Sequence, residues 1–326
     1  MFQYRVVITL VILLTGNTFF ESLSAQSAAQ TSLFSQNVLP YNPAYAGTRL
    51  GLNLDASARY QWLDIEGAPV SQFGSIHMAA PGINAGAGLI VVNDAIGAEN
   101  NLSVRLSLAK AFKLRFGTIS FGLDAGIAQK NLDGALIVTN DGEYTGVIQH
   151  NDDLIPNSSQ NGVTPDIGLG VLFKLPKTLV GLSVRSLIDK EFQLTENESI
   201  VEAGRTYFGL IQQNIEVGYN FELIPSLLLK SDAISHQIDL QLAAVYLETF
   251  QLGLGYRGYN NRTQDAVVLL AGYRFTPNFK LFYSYDIGLS GLNTAHSGSH
   301  ELAISYRLAD LMSSRGGKVI YNPRFL

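Results

Sequence analysis

Side chains able to do chemistry are few in this chain, and they are dispersed. There are five histidines and no cysteine. His296 and His300 flank a Gly-Ser run, but in a strand or loop this spacing does not bring two imidazoles together as a turn of helix would. Asp141, Glu143, Asn151, Asp152 and Asp153 offer oxygen ligands for Ca²⁺ without the glycine-fixed spacing of a known cage, so a solvated loop is the expectation there. No G-x-S-x-G, H-E-x-x-H or phosphate-binding glycine loop occurs. We therefore expect no enzyme, no cofactor and no metal. The one recurrent charged set is Asp55, Arg59, Arg105, Asp124, Arg185, Glu216, Asp239, Arg257, Asp286, Glu301 and Arg307, most of them set between apolar neighbours.

That setting identifies the elements that carry them. In the stretch 101–130, Leu102, Val104, Leu106 and Leu108 alternate with Ser103, Arg105 and Ser107. After a break at 113–117, Ile119, Phe121, Leu123, Ala125 and Ile127 alternate with Ser120, Gly122, Asp124, Gly126 and Ala128. Successive side chains of a strand point to opposite faces, so this is a hairpin with one greasy face and one small, polar or charged face.

Composition says what the greasy face meets. Charged residues make up 15% and hydrophobic residues 47% of the chain, with 31 glycines, a poor surface for a water-soluble protein. No run of 18 apolar residues exists, as a membrane helix would need about 20. Apolar composition without apolar runs is what a closed membrane barrel leaves, because only alternate residues meet lipid. Arg5, the apolar run Val6 to Leu14 and the small residues Ser22 to Ala25 read as a secretory signal peptide, residues 1–25. The absence of cysteine excludes lipoprotein acylation and disulfides, and the net charge of -5 gives no footprint for nucleic acid. The expected location is the outer membrane.

Residues 26–48 read as an irregular periplasmic or lumen-plugging segment, punctuated by Pro40-Tyr41-Asn42-Pro43. Alternation then predicts strands near 50–62, 70–79, 85–92, 101–112, 118–130, 165–173 and 179–187. It continues with a long strand ending at Phe221, a tight turn at Leu223 to Ser226, and strands near 227–232, 237–246, 250–259, 266–275, 279–287 and 301–308. Breaks after even-numbered strands are short, whereas most of those after odd-numbered strands are longer and polar, among them 64–69, 93–100, 131–163 and 189–204. The prediction is an all-β transmembrane antiparallel barrel over residues 49–309, of about 14 strands, with short periplasmic turns and long extracellular loops. Residues 310–326 form a periplasmic tail whose aromatic and apolar residues suit docking. A lumen lined by both charge signs suits either a sieving channel or a barrel closed by Arg–carboxylate pairs, and the closed network is favoured.

Three blocks resemble the PorP/SprF family of outer-membrane proteins in the type IX secretion and gliding system of Bacteroidetes. The first is Phe34-Ser35-Gln36 followed by Tyr41-Asn42-Pro43-Ala44-Tyr45-Ala46-Gly47. The second joins Tyr60-Gln61-Trp62, Gly67-Ala68-Pro69, Gly86-Ala87-Gly88 and Val92-Asn93-Asp94, ending at Gly97. The third comprises Tyr283-Ser284-Tyr285-Asp286, Ser299-His300-Glu301 and the terminal Asn322-Pro323-Arg324-Phe325. The resemblance implies a barrel without catalysis that supports secretion, anchors a cargo protein at the cell surface by its C-terminal sorting domain, or links the machinery to the outer membrane. Its implied partners are outer-membrane lipid, that cargo, and periplasmic ring or peptidoglycan-associated components. The matching residues, from Tyr41 to Gly47 together with Trp62, Asn93, Asp94, Tyr285, Asp286, His300, Pro323, Arg324 and Phe325, are candidates for partner contact. The other function to be separated from this one is a small-molecule diffusion channel or transporter.

Overall fold

A computed structural model of the chain describes residues 29–138, 158–188, 190–193, 200–232, 235–259, 263–289 and 297–308. The expected signal peptide, the tail with Pro323, Arg324 and Phe325, the acidic loop residues from Asp141 to Asp153, and His296 lie outside the described residues.

The strands in chain order are β1 (Leu52–Tyr60), β2 (Val70–Ala80), β3 (Ala85–Ile96), β4 (Glu99–Leu114), β5 (Gly117–Asp133), β6 (Ser159–Lys174), β7 (Thr178–Arg185), β8 (Lys190–Gln193), β9 (Ile200–Ala203), β10 (Thr206–Gln213), β11 (Ile215–Val217), β12 (Phe221–Ser231), β13 (His236–Tyr246), β14 (Phe250–Tyr259), β15 (Thr263–Thr276), β16 (Phe279–Gly288) and β17 (Ser299–Leu308). Every neighbouring pair is antiparallel. β1 closes on β17 from Leu52↔Leu308 to Tyr60↔His300, and β10 closes on β12 from Tyr207↔Ser231 to Gln212↔Ser226. With β8 and β9 apart as a separate hairpin and β11 a short extension beside β12, the wall is a closed barrel of 14 strands. Closure leaves no wall strand with an open edge in lipid, where an unpaired backbone group costs several kcal/mol.

The alternation maps onto the two faces. Along β13, Ile238, Leu240 and Leu242 point outward and are exposed, while Gln237, Asp239 and Gln241 point inward and are buried. Aromatic residues gather at the short-turn rim, with Phe112 against Phe121, Phe116 against Phe173, Phe221 against Tyr246, and a run through Tyr273, Phe275, Phe279 and Tyr306. Tyr60, Tyr207, Tyr256 and Tyr283 lie exposed on the outer wall toward the other rim. These are the two girdles of a membrane barrel, and the rim with the long connections is the external one.

Several expectations are corrected. The connection foreseen at 93–100 is a two-residue turn at Gly97 and Ala98, since β3 and β4 pair up to Ile96↔Glu99. Leu223 to Ser226 is no turn but part of β12, and the chain reverses earlier, where Gly218 adopts φ +69°. Pro225 is tolerated inside a strand because the ladder is interrupted there: Ser226 pairs with Gln212, and pairing resumes only at Leu223 with Ile215. The polar stretch 189–204 holds the β8–β9 hairpin. Its Phe192 is buried against Ala128 and Leu132, on the inward side of β5 above the lumen. Glu216 does not line the lumen. It sits exposed at the short-turn rim and pairs with Lys177 at 3.0 Å. Arg307 keeps its inward position in the alternation but lies exposed at the open short-turn end.

Apolar residues also face inward, against the expectation that they would meet lipid throughout. Phe73, Ile90, Phe208, Leu210, Leu228, Val268 and Phe282 are all buried inside the barrel. What they pack against is the chain's own N-terminal segment.

Candidate functional site

The segment from Ala29 to Gly51 runs through the lumen. Ala29 lies near the external rim, where its carbonyl accepts from Lys230 Nζ at 3.2 Å, and Gly47 and Thr48 lie at the opposite end beside Gly86 and Lys174. Its apolar side chains fill three inner-wall patches. Leu33 meets Val268, Leu270, Phe282 and Ala303; Phe34, Val38 and Tyr41 meet Phe208, Leu210 and Leu228; Leu39 and Ala46 meet Phe73, Ile90 and Val92. One void between the segment and the β1–β17 wall, lined by Leu33, Phe34, Tyr41 and Asp55 among others, measures about 10 Å³, room for no more than one water.

The Asn-Pro-Ala-Tyr-Ala-Gly stretch is shaped to lie against bare backbone. Pro43–Tyr45 forms one 3-10 turn, capped by Asn42, whose Oδ1 accepts from the Ala44 N–H at 2.9 Å. The Asn42 amide donates to the carbonyls of Val171 at 3.0 Å and Leu182 at 3.2 Å. The wall can approach so closely because it carries glycines. A Cβ at Gly122 would lie 2.1 Å from Ala44 N, one at Gly170 2.3 Å from Asn42 Oδ1, and one at Gly86 2.3 Å from the Ala46 carbonyl. Tyr41 stands edge-on to Phe208 at 5.6 Å, and its carbonyl accepts from Ser183; Tyr45 stands edge-on to His77 at 5.5 Å.

This fit sets an expected result. Gly122→Val puts atoms into backbone that cannot step aside, and overpacking of this kind costs about 1–3 kcal/mol. The urea midpoint of the folded band on an unheated gel should fall, while Gly82→Val, with nothing within 4 Å of its Cβ, should leave it where it is.

At the external end the segment is held by buried charge. Asp286 pairs with Arg59 at 2.7 Å and Arg257 at 2.9 Å, and Arg257 also pairs with Asp239 at 2.7 Å. Ser32 sits in the middle. Its hydroxyl donates to Asp286 at 2.7 Å and accepts from Arg59 at 2.9 Å and Arg257 at 2.8 Å, while its N–H donates to Glu301 at 2.6 Å. Thr31 donates its hydroxyl to Glu301, and Gln241 donates to the Ser32 carbonyl. Arg59, Arg257, Asp239, Asp286 and Glu301 are all nearly inaccessible to solvent. A second pair, Arg105–Asp124 at 3.1 Å, is buried on the facing wall. Arg185 reaches across to donate to the Pro40 carbonyl. The foreseen network of Arg–carboxylate pairs is therefore present, and its unforeseen members are Thr31 and Ser32.

The candidate residues do not form one cluster. Tyr41 to Gly47 and Asp286 both lie inside the barrel but apart, Asp286 in the network at the external end and the motif against the glycines of the lower half. Asp94 faces inward on β3 and accepts from Ser71, whereas Asn93 beside it lies on the other face. Trp62, Tyr285 and His300 lie at the external rim on the outer side. The Trp62 N–H donates to Ser299 Oγ at 3.1 Å, and His300 shares a 2.6 Å hydrogen bond with the Tyr283 hydroxyl. Gln241 and Lys230 were not singled out in the sequence although the alternation of their strands could have marked them as inward, while nothing in the sequence marked Thr31 and Ser32, which stand in an unpatterned polar stretch.

Residues 23–306 match a family model described as the type IX secretion system membrane protein PorP/SprF. The chain belongs to the PorP/SprF family. It is an outer-membrane β-barrel component of type IX secretion. No curated protein matches it. Among solved structures, the PorP/SprF barrel is similar to the CymD monoaromatic hydrocarbon channel, at 12% identity over 86% of this chain and 94% of that one, with a TM-score of 0.51. It is also similar to the Acinetobacter baumannii outer membrane protein Omp33, at 9% identity over 80% and 100% of the two chains with a TM-score of 0.46. The Ralstonia pickettii toluene transporter TbuX matches at 12% identity over 83% and 93%, with a TM-score of 0.48. At these identities the likeness concerns the barrel fold alone, and only the first is close enough to support even that.

Proposed function

We propose that this PorP/SprF-family barrel is a non-catalytic, permanently plugged scaffold of the type IX machinery. It holds a secreted cargo protein at the surface by the cargo's C-terminal sorting domain, or it ties the outer membrane to periplasmic ring and peptidoglycan-associated components. The observation that carries the reading is the filled lumen. Residues 29–47 occupy the path a solute would take, anchored at one end by buried ion pairs and at the other by glycine-fitted backbone. A wall closed in this way transmits nothing, so what remains available for function is its two rims and its lipid-facing side. The lumen carboxylates Asp55, Asp124, Asp239 and Asp286 are paired with arginines, which supports a role without catalysis.

On this reading residues 1–25 are a cleaved export signal, and the tail 310–326 and the candidate residues at the rims are the partner contacts. Deleting the gene should abolish delivery or surface retention of a particular type IX substrate, read by mass spectrometry of whole-cell surface and culture fluid. Unchanged delivery of every such substrate would reject the proposal. The runner-up, a diffusion channel, predicts conductance steps from the intact protein in planar bilayers, whereas the plugged scaffold predicts none.

A further inference from the structure

The short-turn end of the lumen gathers positive charge that the fold around it does not answer. On one side of this mouth Lys113, at an inward position of β4, stands opposite Thr118, and Thr118 stands opposite Lys174 on β6. Across the mouth Arg274 on β15 stands directly opposite Lys280 on β16, whose partner on β17 is Ser305, two positions from Arg307 on the same face. Arg49, where the inner segment leaves the lumen, lies near enough to both groups for its charge to act on Lys174 and on Lys280. The carboxylates at this end are already engaged. Asp55 pairs with Arg49 at 2.8 Å, Glu248 with Arg274 at 2.8 Å and Glu216 with Lys177 at 3.0 Å, while Glu222 accepts from the Asn214 amide at 2.6 Å. Among the described residues Lys113, Lys174, Lys280 and Arg307 have no carboxylate bonded to them, and Lys174 and Arg307 reach only the carbonyls of Thr48 and Pro277. Residues 309–326 carry Asp310 against Arg315, Lys318 and Arg324, so their composition adds to the excess. Like charges directly opposite each other in an antiparallel pair are destabilising. The set therefore costs the barrel stability and points to a counter-charge from outside the chain.

We infer that this mouth is the docking site for an acidic, amphipathic segment of a periplasmic protein. The inference deepens the scaffold reading and rests on it. A lipid headgroup does not fit the geometry, because these cations occupy inward positions and the wall with its aromatic girdle stands between them and the bilayer. A single small anion does not fit either. From Arg307 on β17 to Lys113 on β4 is four strand steps, about 20 Å along the wall, so only a ligand carrying several negative groups engages both sides. Apolar positions among the cations select a polypeptide over a carboxylated glycan: Leu50, at the exit of the inner segment, is 62% exposed, and Ile83, on the β2–β3 turn between the two groups, is 64% exposed. A chain with carboxylates spaced by apolar side chains meets both features. The charges bring it in and orient it, and the apolar contacts add to its hold.

Fluorescence anisotropy with the full chain in phosphatidylcholine nanodiscs tests the site, using labelled synthetic peptides built of Glu and Leu, of Glu and Ser, and of Lys and Leu. The Glu–Leu peptide should bind, the Lys–Leu peptide should not, and added salt should weaken the binding. Lys113→Glu and Lys280→Glu, one on each side of the mouth, should each weaken it about fivefold. Leu50→Ser should weaken the Glu–Leu peptide and leave the Glu–Ser peptide unchanged. Arg205→Glu, an exposed position at the opposite rim, should keep full binding. Heat-modifiable gel migration shows that each variant is folded. Undiminished binding by the folded double variant Lys113→Glu with Lys280→Glu would overturn the proposal, as would displacement by millimolar inorganic phosphate or equal affinity for soluble peptidoglycan fragments. In cells, normal substrate delivery by that double variant, where gene deletion stops it, would overturn this inference alone. Normal delivery after gene deletion would instead remove the scaffold reading beneath it.

Discussion

Asp286→Ala is expected to lower the stability of the barrel by about 3–5 kcal/mol, the cost of leaving buried charge without its partner. Asp286 is the hub of the lumen network. It accepts from Arg59 on β1, from Arg257 on β14 and from Ser32 of the inner segment, at 2.7, 2.9 and 2.7 Å. Removing it leaves Arg59 with only the more distant Glu301 at 3.9 Å and Arg257 with Asp239 alone at close range, and both guanidinium groups are 1% exposed. Neither can turn to water, because the segment covers them. Asp286→Asn keeps the shape and one carbonyl acceptor and should lose distinctly less, while exposed pairs such as Arg274–Glu248, whose carboxylate side chain is 81% accessible, should contribute about 0–1 kcal/mol. Urea titration of the folded band, with and without heating, measures all three. An unchanged midpoint for Asp286→Ala would mean that the network does not hold the barrel.

Deleting residues 29–47 should turn a silent protein into a conducting one. A barrel of eight strands is filled by its own side chains, while barrels of 16–18 leave an aqueous channel. The present wall has 14, and around the N-terminal motif it projects little of its own, with Gly86, Gly122, Gly170 and Gly181 all standing against residues 42–47. Take the segment away, and the space is lined by Arg59, Arg105, Asp124, Arg257, Asp286 and the serines beside them together with the apolar patches around Phe73, Phe208 and Val268, which leaves a polar track that water will wet. Planar bilayer recordings should show no steps from the intact chain and well-resolved steps from the deletion variant. Steps of equal size from both would identify another route through the barrel, and silence from a folded deletion variant would place the block elsewhere. Because the segment also buries Phe73, Ile90, Phe208 and Val268, the deletion should additionally lower the unfolding midpoint.

The two results together separate the roles of the inner segment. The upper network binds it by charge and the lower motif by shape, so Asp286→Ala weakens one end while Gly122→Val presses on the other. A variant that frays only the external end should destabilise without conducting, because Tyr41 to Gly47 still closes the lower half.

Read without a structure, the chain already determined its own architecture. Alternation of period two in Leu102 to Ile127, repeated along the sequence, fits either two packed sheets or one closed sheet, and low charge with no long apolar run, together with the short and long breaks in turn, favours the closed sheet with lipid outside. The parity of Asp55, Arg59, Arg105, Asp124, Asp239, Arg257, Asp286 and Glu301 sent them inward, because a strand offers only two faces. What parity does not encode is which inward groups touch across the lumen, since partners such as Ser32 and Asp286 are 254 positions apart. Nor did it show that Phe73, Ile90 and Phe208 face inward, or that Glu216 falls on an exposed extension beyond the lumen. Those outcomes depend on strand stagger, on where the ladder is interrupted near Pro225, and on the course of residues 29–47. Only the closed three-dimensional wall sets them, because the inner segment has no periodicity of its own and takes its shape from the glycines and charges around it.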